Sequence, residues 1–151
     1  MAQTYQFCTF TLDKLMFGVE LKKVQEVIRY LEITEIPLAP RVVSGLMNLR
    51  GQIITGIDLR RRLDLPDRPE ETPPMNVVIR SADGAVSLQV DEIGDVVEVT
   101  DESFERAPET LQGKVRELIL GVHKLEKQLM HVLDTEKSCE TAETVEVGST
   151  P

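Results

Sequence analysis

The chain has 151 residues, enough for one domain of ordinary size or two half-size units sharing a core; with 41% hydrophobic content, 4% aromatic and no Trp, that core must be built from Val, Ile and Leu. Seventeen basic residues against 26 acidic ones give a net charge of −9, which argues against binding by phosphate neutralisation and hence against nucleic acid as a partner. No apolar run approaches the roughly 18 residues of a membrane-spanning helix, and Met1-Ala2-Gln3-Thr4-Tyr5 has neither a charged lead nor a long apolar segment, so neither a span nor a secretion signal is expected.

Phe7, Thr9 and Thr11 alternate with Cys8, Phe10 and Leu12, and Asp13-Lys14 leads into Leu15 to Val19, the pattern of a hairpin on a two-residue polar turn. The period then changes. Val24, Val27, Ile28 and Leu31 fall at i, i+3, i+4 and i+7 among Lys22, Lys23, Gln25, Glu26 and Arg29, and this spacing predicts a short amphipathic helix. Pro37 and Pro40 close that unit. From Val42 to Leu59 the chain is largely apolar, and its second half, with Gly51 and Gly56, suits a strand buried on both faces and bent where side chains are absent. Arg50 interrupts the run. A charge beside a buried strand is costly unless paired, so Arg50 must reach water or hold an acid.

Residues 64–74 hold four prolines and no core, and read as a loop between halves. The second half opens with Asn76 to Arg80, turns at Asp83-Gly84, a pair that tolerates positive φ, and returns as Val86 to Val90. Ile93 to Val99 supplies another strand, residues 101–114 an ordered loop with a helical turn, and Leu118 to Val122 and Leu129 to Leu133 the last two strands. Beyond Thr135 the residues are polar and acidic, predicting a disordered tail over 137–151, with a helix near 135–139 as the alternative.

Groups for chemistry are sparse. Cys8 and Cys139 lack CxxC spacing and read as free thiols of a reducing cytosol. His123, His131 and Cys139 match no metal-ligand spacing, so neither metal nor cofactor is expected. The acids Asp91, Glu92, Asp95, Glu98, Asp101 and Glu102 have no nucleophile or His nearby in sequence, and they and Arg60-Arg61-Arg62 read as solvated faces. No enzyme is expected.

Gly45-Leu46-Met47-Asn48-Leu49-Arg50-Gly51, followed by Ile53, Ile54 and Asp58-Leu59-Arg60, resembles the CheW family of bacterial chemotaxis coupling proteins, whose module also forms the regulatory domain of the histidine kinase CheA. The likeness extends upstream through Phe17-Gly18-Val19-Glu20 and Lys23-Val24-Gln25-Glu26-Val27, and downstream through Leu88-Gln89-Val90-Asp91-Glu92-Ile93 and Ile119-Leu120-Gly121. It implies a mainly β fold of two packed, five-stranded, SH3-like antiparallel barrels within residues 1–136. The halves expected from chain order are about 5–64 and 76–134, with a crossing N-terminal strand allowed. It also implies a non-catalytic adaptor in the cytoplasm, at membrane-associated receptor arrays, reaching the membrane only through its receptor.

By position, Val19, Val24, Val27, Ile28, Val77, Val90 and Val97 are candidates for an apolar groove that takes a chemoreceptor's hairpin tip. The alternative is that the helix face buries wholly in the protein's own core. Gly45, Gly56 and Asp58 are candidates for contact with the kinase regulatory domain, the glycines serving a bend equally well, and Glu26 is the acid expected to pair with Arg50. The other functional reading is a CheW-like adaptor of a parallel chemosensory system such as twitching motility.

Overall fold

Asp13 and Lys14 both take left-handed backbone, φ 46° and 74°, the geometry of a two-residue turn whose twist matches the strands it joins. They close a hairpin between β1 (Thr4–Leu12) and β2 (Leu15–Glu20). The computed structural model describes residues 3–29, 31–69, 71–81 and 84–139. After β2, a single 3-10 turn at Leu21–Lys23 delivers the chain to β3 (Val24–Ile28), β4 (Ile33–Thr34), β5 (Val43–Leu49) and β6 (Gln52–Asp58). Helix α1 (Leu59–Arg62) and the proline-rich loop lead to β7 (Met75–Ser81), β8 (Gly84–Val90) and β9 (Glu92–Thr100). Strand β10 (Phe104–Glu105), helix α2 (Gly113–Glu117), β11 (Ile119–Lys124) and β12 (Leu129–Leu133) follow.

One sheet runs β10-β11-β12-β2-β1-β9 and the other β3-β7-β8-β6-β5-β4. In each, five strands have at least five residues and the sixth, β10 or β4, is a two-residue edge piece, so the expected five-stranded units are recognisable. Their partition does not follow the expected halves. The second sheet is one continuous segment from β3 to β8, inserted between the N-terminal hairpin and the C-terminal strands; the first sheet is sealed by a parallel pairing of β2 with β12. The chain thus passes between sheets at Leu21–Lys23 and again at Asp91.

A single core joins them. Phe10, Leu12, Phe17, Val19, Val122 and Leu133 from the first sheet pack in one cluster with Ile57, Val77, Ile79, Leu88 and Val90 from the second. At about 1.5–3 kcal/mol for each large apolar side chain removed from water, this shared cluster makes the two units one mechanical body.

The predicted amphipathic helix is a strand. In β3 the alternation is period two: Val24, Glu26 and Ile28 half-buried, Gln25 and Val27 exposed. β-Branched residues favour this, and the inward position of a charged residue, Glu26, disguised the pattern as helical spacing. Arg50 is likewise not within a strand. With Gly51 it forms the β5–β6 turn, φ 53° and 89°, so the second half of the run is a strand as expected, β6, and the first half is its hairpin partner β5. Ser81 pairs with Gly84 across the β7–β8 hairpin, while Asp83 of the expected Asp83-Gly84 turn lies outside the described residues.

Residues 135–139 are helical, with Thr135, Ser138 and Cys139 buried and Cys139 in the shared core. The first part of the expected disordered tail is therefore docked. Arg62 of α1 holds it, Nη2 donating to the Lys137 carbonyl at 2.9 Å and Nε to that of Ser138 at 3.3 Å. Residues 140–151 lie outside the described range.

Candidate functional site

The Asp91 crossover is held by charge. Arg60 grips the carboxylate with Nε at 2.9 Å from Oδ1 and Nη2 at 2.5 Å from Oδ2; Arg68 Nε adds a contact at 3.3 Å, and the Asp13 backbone N–H donates at 2.9 Å. Arg60 also donates through Nη1 to the Pro66 carbonyl at 2.8 Å. The side chains of Arg60, Arg68 and Asp91 are only 10%, 10% and 14% exposed. Burial pushes the Asp91 carboxyl up, but the Arg60 hydrogen bond, the Asp13 N–H and the charges of both arginines outweigh it and hold it below its usual value. The network ties α1, the proline-rich loop and the β1–β2 turn to the point where the chain changes sheets. Sequence reasoning placed Arg60 and Asp91 on solvated faces, and the structure corrects this. The requirement applied to Arg50, that a charge abutting a buried strand needs a partner, applied equally to Leu59-Arg60 and Val90-Asp91.

Arg50 Nη1 donates to Glu26 Oε2, linking the β5–β6 turn to β3. These strands lie far apart in the hydrogen-bonded order, so the contact means the sheet curls until its ends face. Ile28, Leu31 and Ile33 packing on Met47, Leu49, Ile54 and Val78 say the same. The Arg50 side chain is 72% exposed and Glu26 22%; the Arg50 hydrogen bond lowers the Glu26 carboxyl. An exposed pair of this kind contributes little to stability, so its reversal should be read in binding rather than in melting. The variants Glu26→Arg and Arg50→Glu are each expected to lose partner binding, and the double reversal to recover it, by co-sedimentation. A double variant no better than the worse single one would remove the pair from the binding surface.

The seven groove candidates do not gather. Val19, Val77 and Val90 are fully buried in the shared core and are unavailable to a partner, so the structure withdraws them. Val24 is half-buried against that core, Ile28 against the β5–β6 cluster, and Val97 against a third cluster with Phe7, Val99, Met130 and Val132. Val27, on edge strand β3, is 40% exposed. Of the kinase-contact candidates, Gly45 faces Gly56 across the β5–β6 ladder beside a bulge. A Cβ on Gly45, whose φ is 146°, would stand 2.4 Å from the Thr34 carbonyl oxygen, and one on Gly56 2.7 Å from Met47 Cε. Their glycines are thus required by the sheet's own close approaches. Asp58 caps α1, accepting from the Arg61 N–H, and lies with Arg61, Arg41 and Pro37 on an open cleft of about 830 Å³.

Nothing here is arranged to react. Among the described residues no group of three or more His, Cys, Asp or Glu could hold a metal, and no helix is long and apolar enough to cross a membrane. Burial raises both thiols, Cys139 to about 12. His123 is buried, its Nδ1 2.8 Å from Ser103 Oγ; burial lowers its pKa, with Asp101 partly opposing. The unfolded chain therefore binds a proton that the fold resists. Stability present above pH about 6.5 should decline as pH falls below that value and toward the depressed folded pKa. Melting curves between pH 7.5 and 5.5 should show this slope, and His123→Gln should flatten it.

Two curled sheets on one shared core, joined by a charge-clamped crossover, define a mainly β module. The CheW-like domain family matches residues 6–143, and the chain belongs to that family. It is similar to the chemotaxis protein CheW of Klebsiella aerogenes, 30% identical over 132 residues, covering 87% of this chain and 80% of that one. It is also similar to CheW of Treponema pallidum, 29% identical over 139 residues, covering 89% and 82%. A crystal structure of the scaffolding protein CheW from Thermoanaerobacter tengcongensis shares the fold with a TM-score of 0.83 at 24% identity, over 91% of this chain and 94% of that one. The protein is thus a CheW-type adaptor of chemotaxis signalling, in a family that is non-catalytic.

Proposed function

We propose that this adaptor couples a chemoreceptor's cytoplasmic tip to the regulatory domain of a CheA-type histidine kinase. The observation that carries the reading is the single core shared by both sheets, together with the Asp91 crossover clamp. A body whose two units are joined through one buried core and a clamped crossover is suited to hold two partners at a set separation, so that a displacement of the receptor is passed to the kinase. Val27, exposed on an edge strand beside the Glu26–Arg50 pair, is the apolar contact on the receptor side. The open cleft at Asp58 and Arg61, which none of the candidate groove residues lines, is the contact on the kinase side. Such a protein works in the cytoplasm at receptor arrays and reaches the membrane only through the receptor.

The test is co-sedimentation of the protein with receptor cytoplasmic fragments and, separately, with the kinase regulatory domain. Wild type should bind both. Val27→Arg should lose the receptor, by tenfold or more in affinity, about 1.4 kcal/mol, and keep the kinase. Binding to neither partner by the wild-type protein would overturn the reading.

A further inference from the structure

The mouth of the first sheet carries features that coupling does not use. Phe104, on the two-residue strand β10, pairs in register with His123 of β11, so their side chains share a face. The two rings meet edge to face at 5.1 Å between centroids, and Phe7 stands on His123 at 5.5 Å. Gly121 lies beneath Phe104: a Cβ there would come 2.4 Å from the Phe104 Cζ, so the glycine lets the ring lie on bare backbone. Even so, Phe104 is 43% exposed and Leu120 58%. Both border a pocket of about 220 Å³ whose described charged lining residues are two carboxylates, Glu20 and Asp101.

Size and charge together narrow the occupant. Small-molecule sites usually measure about 300–1,000 Å³, so this pocket suits one large side chain better than a cofactor. Carboxylates exclude an anion, and an uncharged apolar group would leave them unanswered. Lys22 reaches Glu20 at 3.4 Å with its own side chain 76% exposed, a contact too weakly held to occupy that acid against a better-placed cation. Asp101 lines the pocket together with Tyr5, whose phenol its carboxylate raises, and as an ionised carboxylate it accepts from more than one donor. We propose that this mouth receives the guanidinium of an arginine side chain presented by a partner protein. A planar guanidinium stacks on aromatic faces while donating to carboxylates at the rim, and the chain's net charge of −9 favours its approach.

The test is independent of receptor and kinase, and so of the proposed coupling. Isotope-labelled full-length protein is titrated with the blocked tripeptide acetyl-Gly-Arg-Gly-amide and with its citrulline counterpart, an uncharged near-isostere, while amide chemical shifts are followed. Saturable shifts confined to Tyr5, Phe104, Leu120, His123 and their neighbours are expected for arginine, with citrulline about tenfold weaker because the charge-assisted bonds are missing. Asp101→Asn and Phe104→Ala should each weaken arginine binding about fivefold. Both positions are exposed, and an otherwise unchanged spectrum verifies the fold. Equal response to citrulline, unsaturable shifts spread over the acidic surface, or insensitivity to both substitutions would overturn the proposal.

Discussion

Replacing Asp91 with alanine should lower stability by about 3–5 kcal/mol, because it leaves two arginines uncompensated where their side chains are only 10% exposed. For a chain of this size that is a fall in Tm of about 10 °C. The removed group accepts from Arg60, Arg68 and the Asp13 backbone at once, so no single rearrangement satisfies all three. Asp91→Asn should cost less, since it keeps an acceptor for Asp13 and Arg60 while losing the charge. The same site gives an acid limb. Its carboxyl is held below the ordinary value, so its contribution is complete above pH about 4 and is lost as pH falls through the lowered folded value. The Asp91→Ala variant should lack that limb. A Tm within about 2 °C of wild type would mean that water replaces the carboxylate and that the clamp does not hold the crossover.

Arginine at Val77 should abolish the native fold, whereas arginine at Val27 should leave the melting curve in place. These residues are register partners in the β3–β7 ladder and so share one face of the sheet; the difference between them is set by position, Val27 on the edge strand and Val77 on the covered strand beside it. Val77 is 0% exposed within the shared core, and a guanidinium there has neither a partner nor a route to water. Val27 is 40% exposed and sits on an edge strand where a long charged side chain reaches solvent. Thermal unfolding followed by circular dichroism decides it: a cooperative transition for Val77→Arg near the wild-type temperature would mean that the core opens at this point.

The strands were legible wherever apolar alternation was uninterrupted. Phe7 to Val19, Asn76 to Val90 and Leu129 to Leu133 read from the sequence much as they fold, and the family resemblance of residues 45–60 led to the right architecture. What failed has two physical causes. Charged residues occupy inward positions when a partner far along the chain neutralises them. Glu26 hid the strand period of β3, and Arg60 and Asp91 were taken for surface because their 31-residue separation says nothing about contact. The second cause is topology. Chain order groups neighbouring strands, yet the N-terminal hairpin belongs with strands more than a hundred residues later, and local pattern carries no record of which edge a strand will join. The groove candidates suffered from both: valines in a strand alternate between faces, and position along a family pattern does not say which face is closed.

The insertion of the second sheet within the first has a consequence for how the molecule comes into being. The hydrogen bond between His131 and the Met16 carbonyl spans 115 positions, and the parallel β2–β12 ladder lies beside it. The hairpin carrying Phe10 and Phe17 is synthesised before the inserted sheet that supplies Ile57, Val77 and Leu88 to cover those rings, but the β2 edge stays unpaired until β12 has followed. The inserted sheet can pair within itself first, and closure of the outer sheet is the pairing with the longest loop to close, which leaves an unpaired edge exposed until it forms.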